Sequence, residues 1–145
     1  MAKLRPASPA DRAAVTTLLK RADLPTEGLD EVAGLWVLQH NGRVVGAVGY
    51  EAHGGVALLR SLVVDPALRG QGLGLQLLEG SRDALAGAGI EDVYGLTTTI
   101  PDLLVRLGWR EVPRQELPPA LAASQELKGA CPDSARAFHL RLGAA

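Results

Sequence analysis

Residues 56–74 read VALLRSLVVDPALRGQGLG, and this stretch decides the fold. Val56 to Val64 is a nine-residue, nearly continuous apolar run. A strand of that composition is expected to be buried on both faces, in the middle of a sheet flanked by helices. Asp65-Pro66 ends it, and Arg69-Gly70-Gln71-Gly72-Leu73-Gly74 follows at once. Residues 73–88 then place Leu73, Leu77, Leu78, Leu85 and Ala88 on one broad helical stripe, which Gly89 stops. The unit is strand, glycine loop, helix. Such a loop exposes backbone N–H groups that the helix leaves without partners. The helix dipole adds roughly half a positive charge there, so the place favours a phosphate or pyrophosphate. Glycines permit positive φ and close approach of a ligand to the backbone, and Arg69 can pair with a phosphate oxygen.

Three phosphate-binding patterns compete for this loop. A P-loop needs Gly-Lys-Ser/Thr, and the chain has none. A Gly-x-Gly-x-x-Gly dinucleotide fingerprint fails in both frames: from Gly70 and Gly72 the third position is Leu75, and from Gly72 and Gly74 it is Leu77. What remains is Arg-x-x-Gly-x-Gly, spelled by Arg69, Gly72 and Gly74.

Outward from the loop, strands and helices alternate. Ser8-Pro9-Ala10-Asp11 reads as a helix start, with Val15, Leu18, Leu19 and Ala22 on one face behind it. A short second helix is expected over 27–33. Leu35 to His40 and Arg43 to Tyr50 read as a hairpin around Asn41-Gly42, and Gly54-Gly55 makes a further turn. Downstream, the pattern gives a strand over 93–97, a helix over 101–107 ended by Gly108, and a strand over 109–112. A helix over 117–127 and a strand over 134–142 complete it. The expectation is one α+β domain, residues 1–145.

The 145 residues suffice for one core. With 15 Lys+Arg against 16 Asp+Glu and 3% aromatics, neither a basic surface nor a base-stacking platform is available, so nucleic acid is not an expected partner. No apolar run reaches the ~20 residues of a membrane span. The start of the chain shows no apolar signal region, so a cytoplasmic location is expected. The single cysteine, Cys131, excludes an internal disulfide and a cysteine-rich metal site.

The stretch Leu62 to Gly74 resembles the acyl-CoA motif of the GCN5-related N-acetyltransferases (GNATs), and the resemblance extends from Leu4 to Leu142. Leu4-Arg5-Pro6-Ala7 looks like the family's opening strand, and Leu103 to Trp109 like its Phe-Tyr-x-Lys-x-Gly-Phe segment. Leu59 to Val64, Leu96 to Thr99 and Cys131 to Ala135 are similar to the amino-acid and arsenic-resistance branches. The resemblance implies the GNAT fold, a mixed central sheet flanked by helices on both faces, with acetyl-CoA as co-substrate. It implies that Arg69, Gly70, Gln71, Gly72, Leu73 and Gly74 hold the pyrophosphate, and that the backbone of Leu62, Val63 and Val64 holds the pantetheine arm. Leu104 stands where many members carry a tyrosine acid, which puts a tyrosine-acid mechanism in doubt.

Acetyl transfer to an amine requires that the ammonium lose a proton and that the oxyanion and leaving thiolate be stabilised. Glu51, at the end of the 43–50 strand, is the leading candidate base, against the reading of a solvated turn glutamate. His53 is either a second candidate base, a substrate contact or a plain loop residue. Arg60 interrupts an apolar strand, where a charge must be paired or face a site. It either grips a substrate carboxylate or forms an internal salt bridge with a carboxylate such as Glu51. Thr97, opening the Thr97-Thr98-Thr99 run, is a further substrate-contact candidate. The expected partner is a small-molecule amine, with a homodimer left open. The rivals are a non-catalytic acyl-CoA sensor and an enzyme acetylating protein N-termini or lysines.

Overall fold

The apolar run forms β4 (Val56–Val64). The Gly54-Gly55 turn feeds it from β3 (Arg43–His53), both glycines at positive φ (65° and 87°) as a two-residue hairpin turn demands. A computed structural model describes residues 2–24, 26, 34–68, 70–97, 101–123 and 136–142. The sequence ends the return strand at Tyr50. It runs on to His53, because the tight turn pairs His53 with Val56 and carries the ladder through Glu51↔Leu58. Upstream, β2 (Gly34–His40) forms the expected hairpin with β3, and β1 (Lys3–Pro6) pairs with β2.

With β5 (Asp92–Thr97), β6 (Arg110–Val112) and β7 (Arg136–Arg141), the sheet runs β1-β2-β3-β4-β5-β7-β6. Only the β4–β5 pair is parallel. A parallel pair needs a crossover, and α2 (Leu73–Gly87) supplies it. On one face, α1 (Arg12–Arg21) packs Val15, Leu18 and Leu19 against Val37, Ala47 and Val63. On the other, α2 and α3 (Pro101–Arg106) bury Leu77, Leu85 and Leu104 with Val48, Leu59 and Phe138. This is the mixed sheet with helices on both faces that the sequence leads one to expect.

Two differences from the sequence reading have plain causes. The helix expected over 117–127 is replaced, as far as it is described, by 3-10 turns at Arg114–Glu116 and Pro119–Ala123. Pro118 and Pro119 supply no N–H, and each disfavours helical backbone in the residue before it. At the N-terminus, Ser8 caps a 3-10 turn (Pro9–Asp11) that precedes α1, and Asp11 accepts the Ser8 N–H at 2.7 Å and an Arg5 guanidinium hydrogen bond at 2.8 Å. The expected 27–33 helix, Arg69, Thr98, Thr99, residues 124–127 and Cys131 to Ala135 lie outside the described residues. No helix among the described residues is long and apolar enough to cross a membrane.

Candidate active site

The β4–β5 ladder runs from Val56↔Asp92 to Leu59↔Gly95 and then stops. β4 continues to Val64, paired there with β3 through Ala47↔Val63 and Gly46↔Val64. At the parting point Ser61 has φ 61°, and the register with β3 slips so that Val48 faces both Ser61 and Leu62. This is a bulge, and a bulge bends its strand and breaks local pairing. Among the described residues no strand pairs with the β5 side of β4 from Arg60 to Val64, so β4 and β5 part there around a slot. Leu62, Val63 and Val64 all lie on that stretch of β4.

The glycine loop opens beside the same slot. Asp65 is buried and accepts the Ala67 N–H at 3.0 Å, which turns the chain out of β4. Gly70 and Gly72 have φ of 84° and 77°, and a Cβ on either would meet nothing within 4 Å. Gly72 is the N-cap of α2, and its carbonyl accepts the first bond of that helix, from Gln76 N–H, at 3.0 Å. The amides of Leu73, Gly74 and Leu75 thus have no acceptor within the helix. Glycines with left-handed backbone and open space before them suit an anion seated against backbone N–H groups. The Leu73 side chain is buried in the core and Gln71 is exposed. The loop residues fit a pyrophosphate through their backbone.

On the face that carries α1, strand alternation brings Glu51, His53 and Arg60 together. Arg60 is the first β4 residue past the ladder with β5. Its Nη1 donates to Glu51 Oε2 at 3.0 Å, and its Nε donates to Ser61 Oγ at 3.2 Å. Glu51 Oε1 lies 3.0 Å from His53 Nε2. Side-chain exposure rises along this row, from 0% at Arg60 through 8% at Glu51 to 19% at His53. Glu51 is therefore a buried strand residue rather than a solvated turn residue. The salt bridge offered as the plain reading of Arg60 is present, and it sits where the sheet splits.

Thr97 is not brought to this cluster. Alternation along β5 puts it with Val93 and Gly95 on the α2 face, where Trp109 covers Gly95. Leu104 is buried in that core and offers no hydroxyl. Three further groups gather on the Glu51 side of the sheet. Tyr94 shares the Glu51 face through the register Glu51↔Leu58↔Tyr94, and its ring stacks on His139 at 4.5 Å. His139 Nε2 in turn lies 2.7 Å from Asp92 Oδ1. Burial, with the Asp92 and Glu116 carboxylates nearby, pushes the Tyr94 phenol above its usual range, so it stays protonated at neutral pH. Counting residues back from the Gly54-Gly55 turn would have revealed the Glu51 row; nothing in the sequence marks the Ser61 bulge.

Residues 31–111, more than half of the chain, match the model of the acetyltransferase (GNAT) domain family. The chain belongs to that family. Solved structures share its fold at low identity. An N-acetylglutamate synthase from Neisseria gonorrhoeae, complexed with coenzyme A and N-acetyl-glutamate, aligns with a TM-score of 0.83 and 19% identity over 99% of this chain and 36% of that one. A GNAT-family N-acetyltransferase from Escherichia coli in complex with CoA gives 0.70 and 24% over 98% and 82%. A ribosomal-protein-alanine N-acetyltransferase, also from Escherichia coli, gives 0.73 and 20% over 100% and 96%. The chain thus spans about a third of the length of the synthase. Comparison with curated proteins gave no match.

Proposed function

We propose that the chain is an acetyl-CoA-dependent N-acetyltransferase acting on the primary amine of a small molecule. Amino acids and their arsenical analogues are the first class to test. The observation that carries this reading is the buried Glu51–Arg60 pair at the point where β4 leaves β5. A fixed carboxylate there can take the ammonium proton, and the buried Arg60 guanidinium holds one of its oxygens in place. The amides of the Gly70–Gly74 loop, with Arg69, hold the pyrophosphate, and the free edge of Leu62 to Val64 holds the pantetheine arm. When bound, acetyl-CoA supplies the thioester as acyl donor. The chain's own part is to align the two substrates and remove the proton, so no covalent enzyme intermediate is required. The family resemblance and the CoA complexes of structures with the same fold support the co-substrate.

A protein acceptor is the second reading, favoured by the structural likeness, at a TM-score of 0.73, to a ribosomal-protein-alanine N-acetyltransferase. The deciding experiment is release of coenzyme A from acetyl-CoA across glycine, L-glutamate, L-methionine, an arsenical amino acid, spermidine and alanine-initiated peptides. Preference for amino acids supports the proposal, and preference for peptides moves it to the second reading. Saturable binding of acetyl-CoA without amine-dependent release would make the domain a sensor.

A further inference from the structure

Resting on that reading, a separate question is where the proton goes. Each turnover delivers a proton to a carboxylate that is 8% exposed, and it must reach solvent before the next. Arg60 and His53 both hydrogen-bond the Glu51 carboxylate. The Arg60 guanidinium stays charged and has no acceptor, so it cannot carry a proton onward. The His53 imidazole can, since each of its ring nitrogens can donate or accept a proton. His53 is also the outermost member of the row and lies beside the open Gly54-Gly55 turn.

We propose that His53 is the proton exit of the site, carrying to solvent the proton that Glu51 removes from the acceptor ammonium. An N–H bond of the ammonium breaks and an O–H bond forms on Glu51. That O–H bond then breaks as Nε2–H forms on His53. The imidazolium gives a proton from Nδ1 to water or buffer, and tautomeric exchange with water restores Nε2 as acceptor. Arg60 is a positioning residue in this scheme, fixing one carboxylate oxygen so that the other meets the imidazole. By register, His53, Val56, Asp92 and Arg141 form one row of this face, while Leu58 and Tyr94 extend the row of Glu51. Asp92 and Arg141 are thus the charged groups of β5 and β7 in line with the exit, and Tyr94 is a protonated neutral group in line with Glu51.

The test is coenzyme A release by His53→Gln and His53→Asn, with the best acceptor of the panel, at low and high imidazole. Circular dichroism and the coenzyme A thermal shift confirm that both variants fold. In dilute buffer both should lose turnover by about 10–100-fold, the scale of one general acid–base contribution, with both KM values unchanged. Added imidazole should restore the rate, more so for methylimidazoles of higher pKa, while Glu51→Gln should gain nothing from it. Wild-type turnover of the His53 variants in dilute buffer would overturn the proposal. So would a loss confined to the acceptor KM, or failure of imidazole to rescue. If the wild type itself shows no amine-dependent release, the acetyl-transfer reading falls first and the exit with it.

Discussion

At the scale of single residues, the decisive fact is that Arg60 and Glu51 are buried together. Removing one partner of such a pair strands the other charge in a poorly solvated place. Arg60→Met should cost about 3–5 kcal/mol. The double variant Arg60→Met/Glu51→Leu should cost much less than the sum of its parts, because no charge is left behind. Urea unfolding of the four proteins checks this. Glu51→Gln keeps the shape and one acceptor oxygen, so the fold should persist while kcat falls by about 10²–10⁴-fold. Amine-dependent coenzyme A release measures that loss. Both residues could be named from the sequence, and their salt bridge was one of the two readings of Arg60; one misplaced strand end kept only their register from being read. Once β3 is continued to the two-residue turn, the register 53↔56, 51↔58, 49↔60 follows by arithmetic. Ser61 is different: a serine gives no local sign of the positive φ that the surrounding sheet imposes on it.

At the scale of elements, the glycine loop was the most legible part of the chain, because its left-handed backbone at Gly70 and Gly72 calls for a freedom that glycine supplies. Gly72→Ala should destabilise by about 1–2 kcal/mol, the cost of left-handed backbone for a residue with a Cβ. It should also weaken acetyl-CoA binding, since that Cβ projects into the open space where an anion would sit. Denaturation and calorimetric titration separate the two effects. Arg69→Ala should weaken binding alone. The joint between β1 and α1 makes a different prediction. The Arg5 guanidinium, helped by the Ser8 N–H and hydroxyl, holds the Asp11 carboxyl far below the usual carboxylate range. A depressed folded pKa contributes stability above the unfolded value of about 3.9 and loses it as the pH falls through that region. The stability gap between wild type and Asp11→Asn should therefore be full at pH 6 and shrink steadily below about pH 4. Unfolding midpoints across that range measure it. The 117–127 segment was illegible for a related reason: its apolar spacing suits a helix, and two adjacent prolines override the spacing.

At the scale of the whole molecule, binding at the loop and the slot should couple to stability by mass action. Coenzyme A at one hundred times its Kd should raise the unfolding free energy by about 2.7 kcal/mol. For a domain of this size that is a rise in Tm of about 5–10 °C, readable by scanning calorimetry and diminished in Gly72→Ala. The layers on either face of the sheet followed from hydrophobic spacing, whereas the split between β4 and β5 did not. Periodicity reports which face of a strand is buried and carries no information about whether its neighbour stays parallel to it. The brevity of that seam reaches beyond the site. Four successive hairpin-linked or adjacent antiparallel strands lie on one side of it, three on the other, and Val56↔Asp92 to Leu59↔Gly95 is the ladder that joins them. The chain is stitched from two blocks of unequal kinetic character. In the first, β2, β3 and β4 close through two-residue turns; the second must wait for the long α2 crossover, whose loop entropy is settled last. Amide exchange in the native state should reveal that order, with the amides of β2 and β3 the slowest to open and those of β5 and β7 released together, as one cooperative unit, at a lower free energy.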